Sequence, residues 1–108
     1  MILEDNLKFS LLFEMYGNLL TDKQKSYLDG YLNKNLSLTE IAEINNSSRQ
    51  AVNDLIKRCF KILNYYEEKL NLLNKFELAK EKINNLINLN EADLSLIKKE
   101  LNAILEVL

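Results

Sequence analysis

Residues 36–63, LSLTEIAEINNSSRQAVNDLIKRCFKIL, have the pattern of two helices joined by a short polar turn. Ser37 precedes Glu40 by three residues, which is the spacing of a capping box, where each side chain satisfies a backbone N–H of the first helical turn. The sequence therefore predicts a helix that begins at Leu38. The small Ala42 on its inner side lets a second helix approach closely.

The second helix of this stretch is predicted to begin at Arg49, with Ser48 as its cap. The four residues from Asn45 to Ser48 interrupt the apolar pattern, and asparagine tolerates the left-handed conformation that a sharp turn needs. At about 100° per residue, the second helix separates an apolar side from a polar side. The apolar side carries Val52, Leu55, Ile56, Cys59, Ile62 and Leu63, and the polar side carries Gln50, Asn53, Asp54, Lys57 and Lys61.

This two-sided helix is typical of a helix-turn-helix, whose second helix lies in the major groove of DNA. Gln50 and Asn53, near its start, would meet base edges, because both side-chain amides can bond bidentately to adenine. Cations further along the helix would meet phosphates. The candidate nucleic-acid-binding residues are therefore Ser48, Arg49, Gln50, Asn53, Lys57, Arg58 and Lys61.

Each of these residues also has an ordinary surface interpretation. Arg49 can pair with Glu40 or Glu43 of the preceding helix as readily as with a phosphate or a guanine edge. The three cations further along, taken singly, are typical of a solvated helix face. The combination of cap, small residue, polar turn and two-sided helix is what favours the nucleic-acid interpretation.

Two further helices are predicted upstream. The first runs from about Asn6 to Tyr16 and is stopped by Gly17. Thr21 and Gln24 form a second capping box, which starts a helix that runs toward Asn33. The residues predicted on the inner sides are Leu7, Leu11 or Leu12, Met15, Leu19, Tyr27, Leu28, Tyr31 and Leu32.

Residues 64–108 exceed what a helix-turn-helix needs, so we predict a motif domain over 1–63 and a helical extension over 64–108. Asn64 and Asn71 are candidate kinks in the helical pattern. Asn90 is a candidate cap for a last helix, with Asp93 at its third position. One apolar stripe carries Leu72, Phe76, Ala79, Ile83 and Leu86, and the next carries Leu94, Ile97, Leu101, Ile104 and Leu108.

Two stripes of this spacing, separated by a short turn, predict an antiparallel helical hairpin. The hairpin can cover its apolar residues by folding back on the N-terminal core or by meeting a second chain. Leu96, Leu105 and Leu108 widen the last stripe beyond one partner, which favours a homodimer or another partner at this stripe.

The composition predicts an all-α protein, because the 108 residues include no proline, two glycines and valine only at 52 and 107. A formal net charge of −2 argues against a general nucleic-acid coat. Residues 49–61 nevertheless place four cations against one acid, so a local basic face is expected to bind DNA, weakly unless a second copy adds contacts.

The chain lacks the residues of the usual catalytic and metal sites. It has no histidine, one cysteine and no glycine-rich loop, so we expect no enzyme, no metal and no cofactor. Cys59 falls on the apolar side of its helix and is expected to be a buried structural thiol, which fits a reducing cytoplasm. Neither a signal peptide nor a membrane-spanning run is found, so we predict a cytoplasmic protein that does not bind membranes.

The motif residues resemble known families. Residues 36–52 resemble region 4 of bacterial sigma factors, which shares the capped helix, turn, Ser-Arg pair and following apolar residue. Over about residues 9–76 the chain resembles the YlxM-type family, small helix-turn-helix proteins encoded beside signal recognition particle genes in low-GC bacteria. The segments that carry this likeness are LFEMY at 12–16, LLTDKQ at 19–24, LTEIAE at 38–43 and SRQAV at 48–52.

The chain departs from these families at three positions. Asn45 and Ser47 stand where both families usually carry apolar residues under the turn, and we expect Ile44 or a neighbouring helix to fill part of that space. Asn53 stands where the YlxM-type proteins often carry an aromatic residue, which affects any base preference.

Three functions remain open from the sequence. The first is a small DNA-binding regulator that works as a dimer through its C-terminal hairpin. The second, implied by the YlxM-type resemblance alone, is an interaction protein of the signal recognition particle pathway that binds its RNA or protein components. The third is a structural oligomer with a vestigial motif, which the polar residues at the turn make credible.

Overall fold

The computed structural model of the chain describes residues 3–89 and 93–108, with side chains from Asn6 onward in the first stretch. These residues form six α-helices and one short 3-10 turn, which confirms the all-α prediction for the described ranges. The helices are α1 (Leu3–Tyr16), α2 (Asp22–Leu32), α3 (Leu38–Ile44), α4 (Arg49–Leu70), α5 (Leu72–Ile87) and α6 (Leu94–Val107), and the 3-10 turn is Gly17–Leu19.

Local side-chain caps begin α2 and α3 where the sequence predicted them. The Thr21 hydroxyl accepts from the backbone N–H of Gln24 at 3.2 Å, and the Gln24 side chain accepts from that of Thr21 at 3.0 Å. Ser37 and Glu40 make the same reciprocal pair at 3.0 and 3.1 Å. Both capping boxes are therefore confirmed.

The chain divides into two compact units, Met1–Leu70 and Asn71–Leu108, which we call the N-terminal and C-terminal units. In the N-terminal unit, α4 packs against α1, α2 and α3. Its buried apolar residues are Leu12, Tyr16, Leu20, Tyr27, Leu28, Ile41, Ala42, Val52, Ile56, Cys59 and Leu63. The predicted apolar side of α4 is thus the side around which the unit is built.

The buried side of α1 differs from the predicted one. Phe9 stacks on Phe60 of α4, with ring centroids 4.0 Å apart. Leu7 lies two residues before Phe9, about 200° around the helix, and is 63% exposed. The tighter 3-10 turn after α1 also changes the register, so that Leu20 is buried and Leu19 is 55% exposed. Leu7 and Leu19 were therefore wrongly predicted as inner residues.

Gly30 lies where α2 meets the segment that leads into α3. A Cβ at this position would come within 3.3 Å of the Leu36 Cδ1 atom and 3.8 Å of the Ile41 Cγ1 atom. The Leu36 N–H also donates to the Gly30 carbonyl at 3.0 Å. A larger residue at this position would therefore press on the Leu36 side chain, whereas glycine avoids this contact but costs about 1 kcal/mol relative to alanine inside a helix.

In the C-terminal unit, α5 and α6 pack against each other as a hairpin. The second motif helix runs without interruption past Asn64 to Leu70, and the break follows at Asn71, whose φ of 55° is left-handed. Asp93 is the N-cap of α6, because its carboxylate accepts from the N–H groups of Ser95 and Leu96. The prediction that Asp93 is the third helical position is therefore wrong, and Asn90, the predicted cap, lies outside the described residues.

The apolar stripe predicted on α6 is unevenly buried. Ile104 is 8% exposed and Ile97 is half-buried, whereas Leu94, Leu101 and Leu108 are 65%, 50% and 65% exposed. Leu105 is 69% exposed. Much apolar surface of this short helix therefore faces solvent in the single chain. None of the helices in the described ranges combines the length and apolar character needed to cross a bilayer.

Candidate nucleic-acid interface

The turn between α3 and α4 is a Schellman motif with asparagine at its left-handed position. Asn46 has a φ of 50°. Its N–H donates to the Glu43 carbonyl at 3.5 Å, and the Ser47 N–H donates to the Ala42 carbonyl at 2.9 Å. This is the pair of bonds that closes a helix C-terminus before a sharp change of direction. The prediction that an asparagine supplies the left-handed residue of the turn is confirmed.

Polar residues at the turn satisfy backbone groups instead of filling the core. The Asn45 side-chain amide donates to the Ile41 carbonyl at 2.8 Å, so it caps the end of α3. Ile44 is 68% exposed, so the first of the two alternatives expected to fill part of the space under the turn, Ile44 or a neighbouring helix, is wrong. A small cavity of about 110 Å³ remains there, lined in part by Gly30, Leu36 and Ile44.

Helix α4 begins at the predicted residue and presents its first cation to solvent. The Ser48 hydroxyl accepts from the Ala51 N–H at 3.0 Å, which confirms Ser48 as the cap. Arg49 is exposed and forms no ion pair within the described ranges, where the recorded salt bridge joins Lys34 to Asp29. The alternative pairing of Arg49 with Glu40 or Glu43 is thus not formed in this structure.

The candidate residues form two adjacent rows along α4. Arg49, Asn53, Lys57 and Lys61 recur every four residues and span about 18 Å at 1.5 Å per residue. We call these four residues the basic row. Three of them are exposed, and Asn53 is half-buried.

The second row starts at Gln50 and ends at Arg58, with an acid between them. The Gln50 side-chain amide donates to the Asp54 carboxylate at 2.9 Å, one helical turn away. A base contact through the Gln50 amide nitrogen would have to replace this bond. Arg58 is exposed, so it extends the cationic surface beside the basic row.

One contact close to this surface escaped the sequence analysis. The Tyr16 hydroxyl donates to the Glu67 carboxylate at 2.6 Å, which ties α1 to the far part of α4. No local sequence pattern links two residues 51 positions apart, so this contact could not be predicted from the sequence. Within the described ranges, no cluster of three or more potential metal ligands occurs.

A family described as "Putative helix-turn-helix protein, YlxM / p13 like", designated UPF0122, matches residues 3–104. The chain belongs to the UPF0122 family. This result confirms the YlxM-type resemblance and extends it from about residues 9–76 to nearly the whole chain.

Similar UPF0122 proteins come from clostridia. A UPF0122 protein of Clostridium kluyveri is 46% identical over 86 residues, covering 80% of this chain and 78% of the relative. One from Clostridium botulinum is 54% identical over 80 residues, covering 74% and 72%. One from Clostridium perfringens is 52% identical over 75 residues, covering 69% and 67%. UPF0122 membership therefore supports a helix-turn-helix protein as the general class.

Proposed function

We propose that this UPF0122 protein is a cytoplasmic DNA-binding regulator that works as a homodimer and has no catalytic activity. The observation that carries the proposal is the basic row, whose three cations are exposed and form no ion pair within the described ranges. The opposite side of the same helix is fully buried at Val52, Cys59 and Leu63. The core thus fixes the orientation in which α4 presents its cations.

Phosphate contacts would supply most of the affinity in this arrangement. Arg49, Lys57 and Lys61 extend over a distance that several phosphates of one DNA groove can match. The Ser48 hydroxyl accepts a backbone bond as the cap, and its O–H can at the same time donate to a phosphate. Asn53 is the residue best placed for a base edge, because the amide of the other candidate, Gln50, is already bonded to Asp54.

A structured RNA, including that of the signal recognition particle, is the second candidate. The Gln50–Asp54 bond keeps this candidate open, since a site whose foremost base-reading amide is already bonded depends less on the base edges of a DNA groove and more on backbone phosphates. Phosphate contacts alone do not distinguish DNA from RNA. The two candidates are therefore compared in one experiment.

The binding test uses a double reversal in the basic row. Changing Lys57 and Lys61 to glutamate is expected to weaken binding to an AT-rich duplex by at least about tenfold at low salt, because two phosphate contacts are lost. Each lost contact should also make the negative slope of log K against log salt shallower by about 0.9. Fluorescence anisotropy over a series of salt concentrations measures both quantities. The same series with an RNA hairpin identifies which nucleic acid is bound with the steeper slope.

The matched control changes Lys80 of α5 and Lys99 of α6 to glutamate. Both are exposed, so this variant has the same net charge but an intact basic row. Its affinity should stay near that of the wild type. Equal and negligible binding of DNA and RNA by all three proteins would overturn the proposal and favour a structural oligomer with a vestigial motif.

Dimerisation is proposed through the exposed leucines of α6. The C-terminal unit, Asn71–Leu108, is shorter than roughly 40 residues. Chains of that size usually need a disulfide, a metal or oligomerisation to fold independently. Its buried apolar residues include Ala79 and Ile104, while Leu94, Leu101 and Leu108 of the predicted stripe are at least half exposed. A second copy would cover them and double the number of basic rows.

The dimer test introduces two aspartates into this leucine surface. Changing Leu101 and Leu105 to aspartate should convert a dimer into a monomer in sedimentation equilibrium, because two carboxylates would be buried in an apolar interface. The control changes Ser95 and Asn102, two exposed polar residues of the same helix, to aspartate and should stay dimeric. A wild-type chain that is monomeric at high micromolar concentration would contradict the proposed dimer.

A further inference from the structure

A groove of about 440 Å³ lies on the flank of α4, within the N-terminal unit and beside the basic row. Its apolar wall is formed by Leu19 of the 3-10 turn and by Ile62, Tyr65 and Tyr66 of α4. Arg58 and Lys61 line the same groove. We call these six residues the α4 groove.

Much of the apolar wall of the groove is exposed to solvent. Leu19 is 55% exposed and Tyr65 is 56% exposed, although both are large and lie close together on one groove. Ile62 and Tyr66 are half-buried and continue the same wall. Covering such a surface would be favourable, because it removes apolar area from water.

Cations flank this apolar wall. Arg58 and Lys61 form no ion pair within residues 6–89 and 93–108, and Lys69 approaches the Tyr65 ring with its ammonium nitrogen 5.7 Å from the centroid. The nearby carboxylate of Glu67 already accepts from the Tyr16 hydroxyl at 2.6 Å. The groove therefore offers positive charge for which an occupant could supply the acids.

The spacing of the lining residues matches a helix better than a small molecule. The α4 residues of the groove fall at i, i+3, i+4, i+7 and i+8 from Arg58, which is about 12 Å, or two helical turns. Sites for small molecules enclose most of the ligand surface, whereas two residues of this wall are more than half exposed. An open trough of this length fits the apolar face of one short helix.

We propose that the α4 groove docks an acidic amphipathic helix of a protein partner. Two apolar side chains one turn apart would pack between Leu19 and Tyr65, and carboxylates beside them would pair with Arg58 and Lys61. This interaction goes beyond nucleic-acid binding. Because Lys61 belongs to both the basic row and the α4 groove, the acidic helix and a nucleic acid would compete for it.

The experiment measures the affinity of the full chain for a labelled helical peptide of about fourteen residues, with leucines at i, i+3, i+4 and i+7 and glutamates at the flanking positions. A second peptide has lysine in place of every glutamate. The acidic peptide should bind at least about tenfold more tightly than the lysine peptide, because Arg58 and Lys61 attract the first and repel the second.

Two groove variants are each expected to lose at least about tenfold in affinity for the acidic peptide. One changes Arg58 and Lys61 to glutamate, and the other changes Leu19 and Tyr65 to serine. Leu7→Ser is the matched control for the loss of an exposed apolar side chain, and Lys57→Glu is the control for a charge reversal on α4 outside the groove. Both controls should keep the wild-type affinity for the peptide.

The same variants separate this proposal from nucleic-acid binding. Lys57→Glu should weaken DNA or RNA binding and leave peptide binding unchanged, whereas the Leu19 and Tyr65 double variant should do the reverse. Equal affinity for the two peptides, or full peptide binding by the Leu19 and Tyr65 variant with its helicity intact by circular dichroism, would overturn the docking proposal. The docking proposal is also overturned if no peptide binds the wild type and the Leu19 and Tyr65 variant instead loses nucleic-acid binding or self-association.

Discussion

Replacing Leu63 with alanine is expected to lower the free energy of unfolding of the N-terminal unit by about 2–5 kcal/mol. Leu63 is fully buried and lies on the side of α4 that packs against α1, α2 and α3. The substitution removes buried methyl and methylene groups and leaves a cavity that neighbouring side chains fill only in part. Because stabilities of small domains are about 5–15 kcal/mol, a loss of this size is a large part of the total.

Urea unfolding, monitored by tyrosine fluorescence, measures this loss of stability in the N-terminal unit. All five tyrosines lie between residues 16 and 66, and tryptophan is absent, so the signal reports on the N-terminal unit. Leu7→Ala is the control, since Leu7 is 63% exposed and its truncation should change the free energy by about 0.5 kcal/mol or less. Similar losses for Leu63→Ala and Leu7→Ala would contradict the assignment of Leu63 to the core.

The parts of the fold that the sequence predicted correctly depend on residues close together in the chain. The capping boxes at Thr21 and Ser37 need partners only three residues away, and both formed. The two sides of α4 follow from a repeat of 3.6 residues, so the burial of Val52, Cys59 and Leu63 was predictable. Such local information also placed the left-handed residue in the turn.

The parts that were mispredicted depend on tertiary contacts or small changes of register. Phe9 faces the core through its stacking on Phe60, 51 residues later, and this contact directs Leu7 to solvent. The 3-10 turn replaces Leu19 by Leu20 in the core. Periodicity alone cannot choose between such alternatives, because adjacent leucines fit an apolar stripe almost equally well.

In the candidate site, too, some features could be predicted from the local sequence and others could not. The outward position of Arg49, Lys57 and Lys61 followed from the pattern of α4. The bond from Gln50 to Asp54 has an i, i+4 spacing and could have been predicted, but it was not. The α4 groove could not have been predicted from the sequence, because it joins the 3-10 turn to residues about 40 positions further along the chain.

Alkylation of Cys59 by iodoacetamide at pH 8 is expected to be at least about a hundredfold slower in the folded protein than in the unfolded chain. Cys59 is fully buried, and this burial raises the pKa of its thiol from 9.0 to about 11, although the charge of Arg58 opposes the rise. The thiolate is the reactive form, and its fraction falls tenfold for each unit by which the pKa rises. Exclusion of the reagent from the core slows the reaction further.

The two rates are measured by mass spectrometry with and without denaturing urea, and Leu63→Ala provides an internal comparison. If alkylation requires opening of the N-terminal unit, this variant should react about tenfold faster for each 1.4 kcal/mol of stability that it loses. Equal rates for the folded and unfolded wild type would show that Cys59 is accessible and would contradict its place in the core.

The same pKa shift predicts how stability depends on alkaline pH. Above pH 9 the unfolded chain releases the Cys59 proton, whereas the folded chain retains it up to about pH 11. The folded state therefore binds more protons in this window, and its stability falls as the pH rises from 9 toward 11. The slope is compared with that of Cys59→Ala, which should be shallower because this variant lacks the thiol proton. Identical slopes for the two proteins would contradict a raised thiol pKa in the folded state.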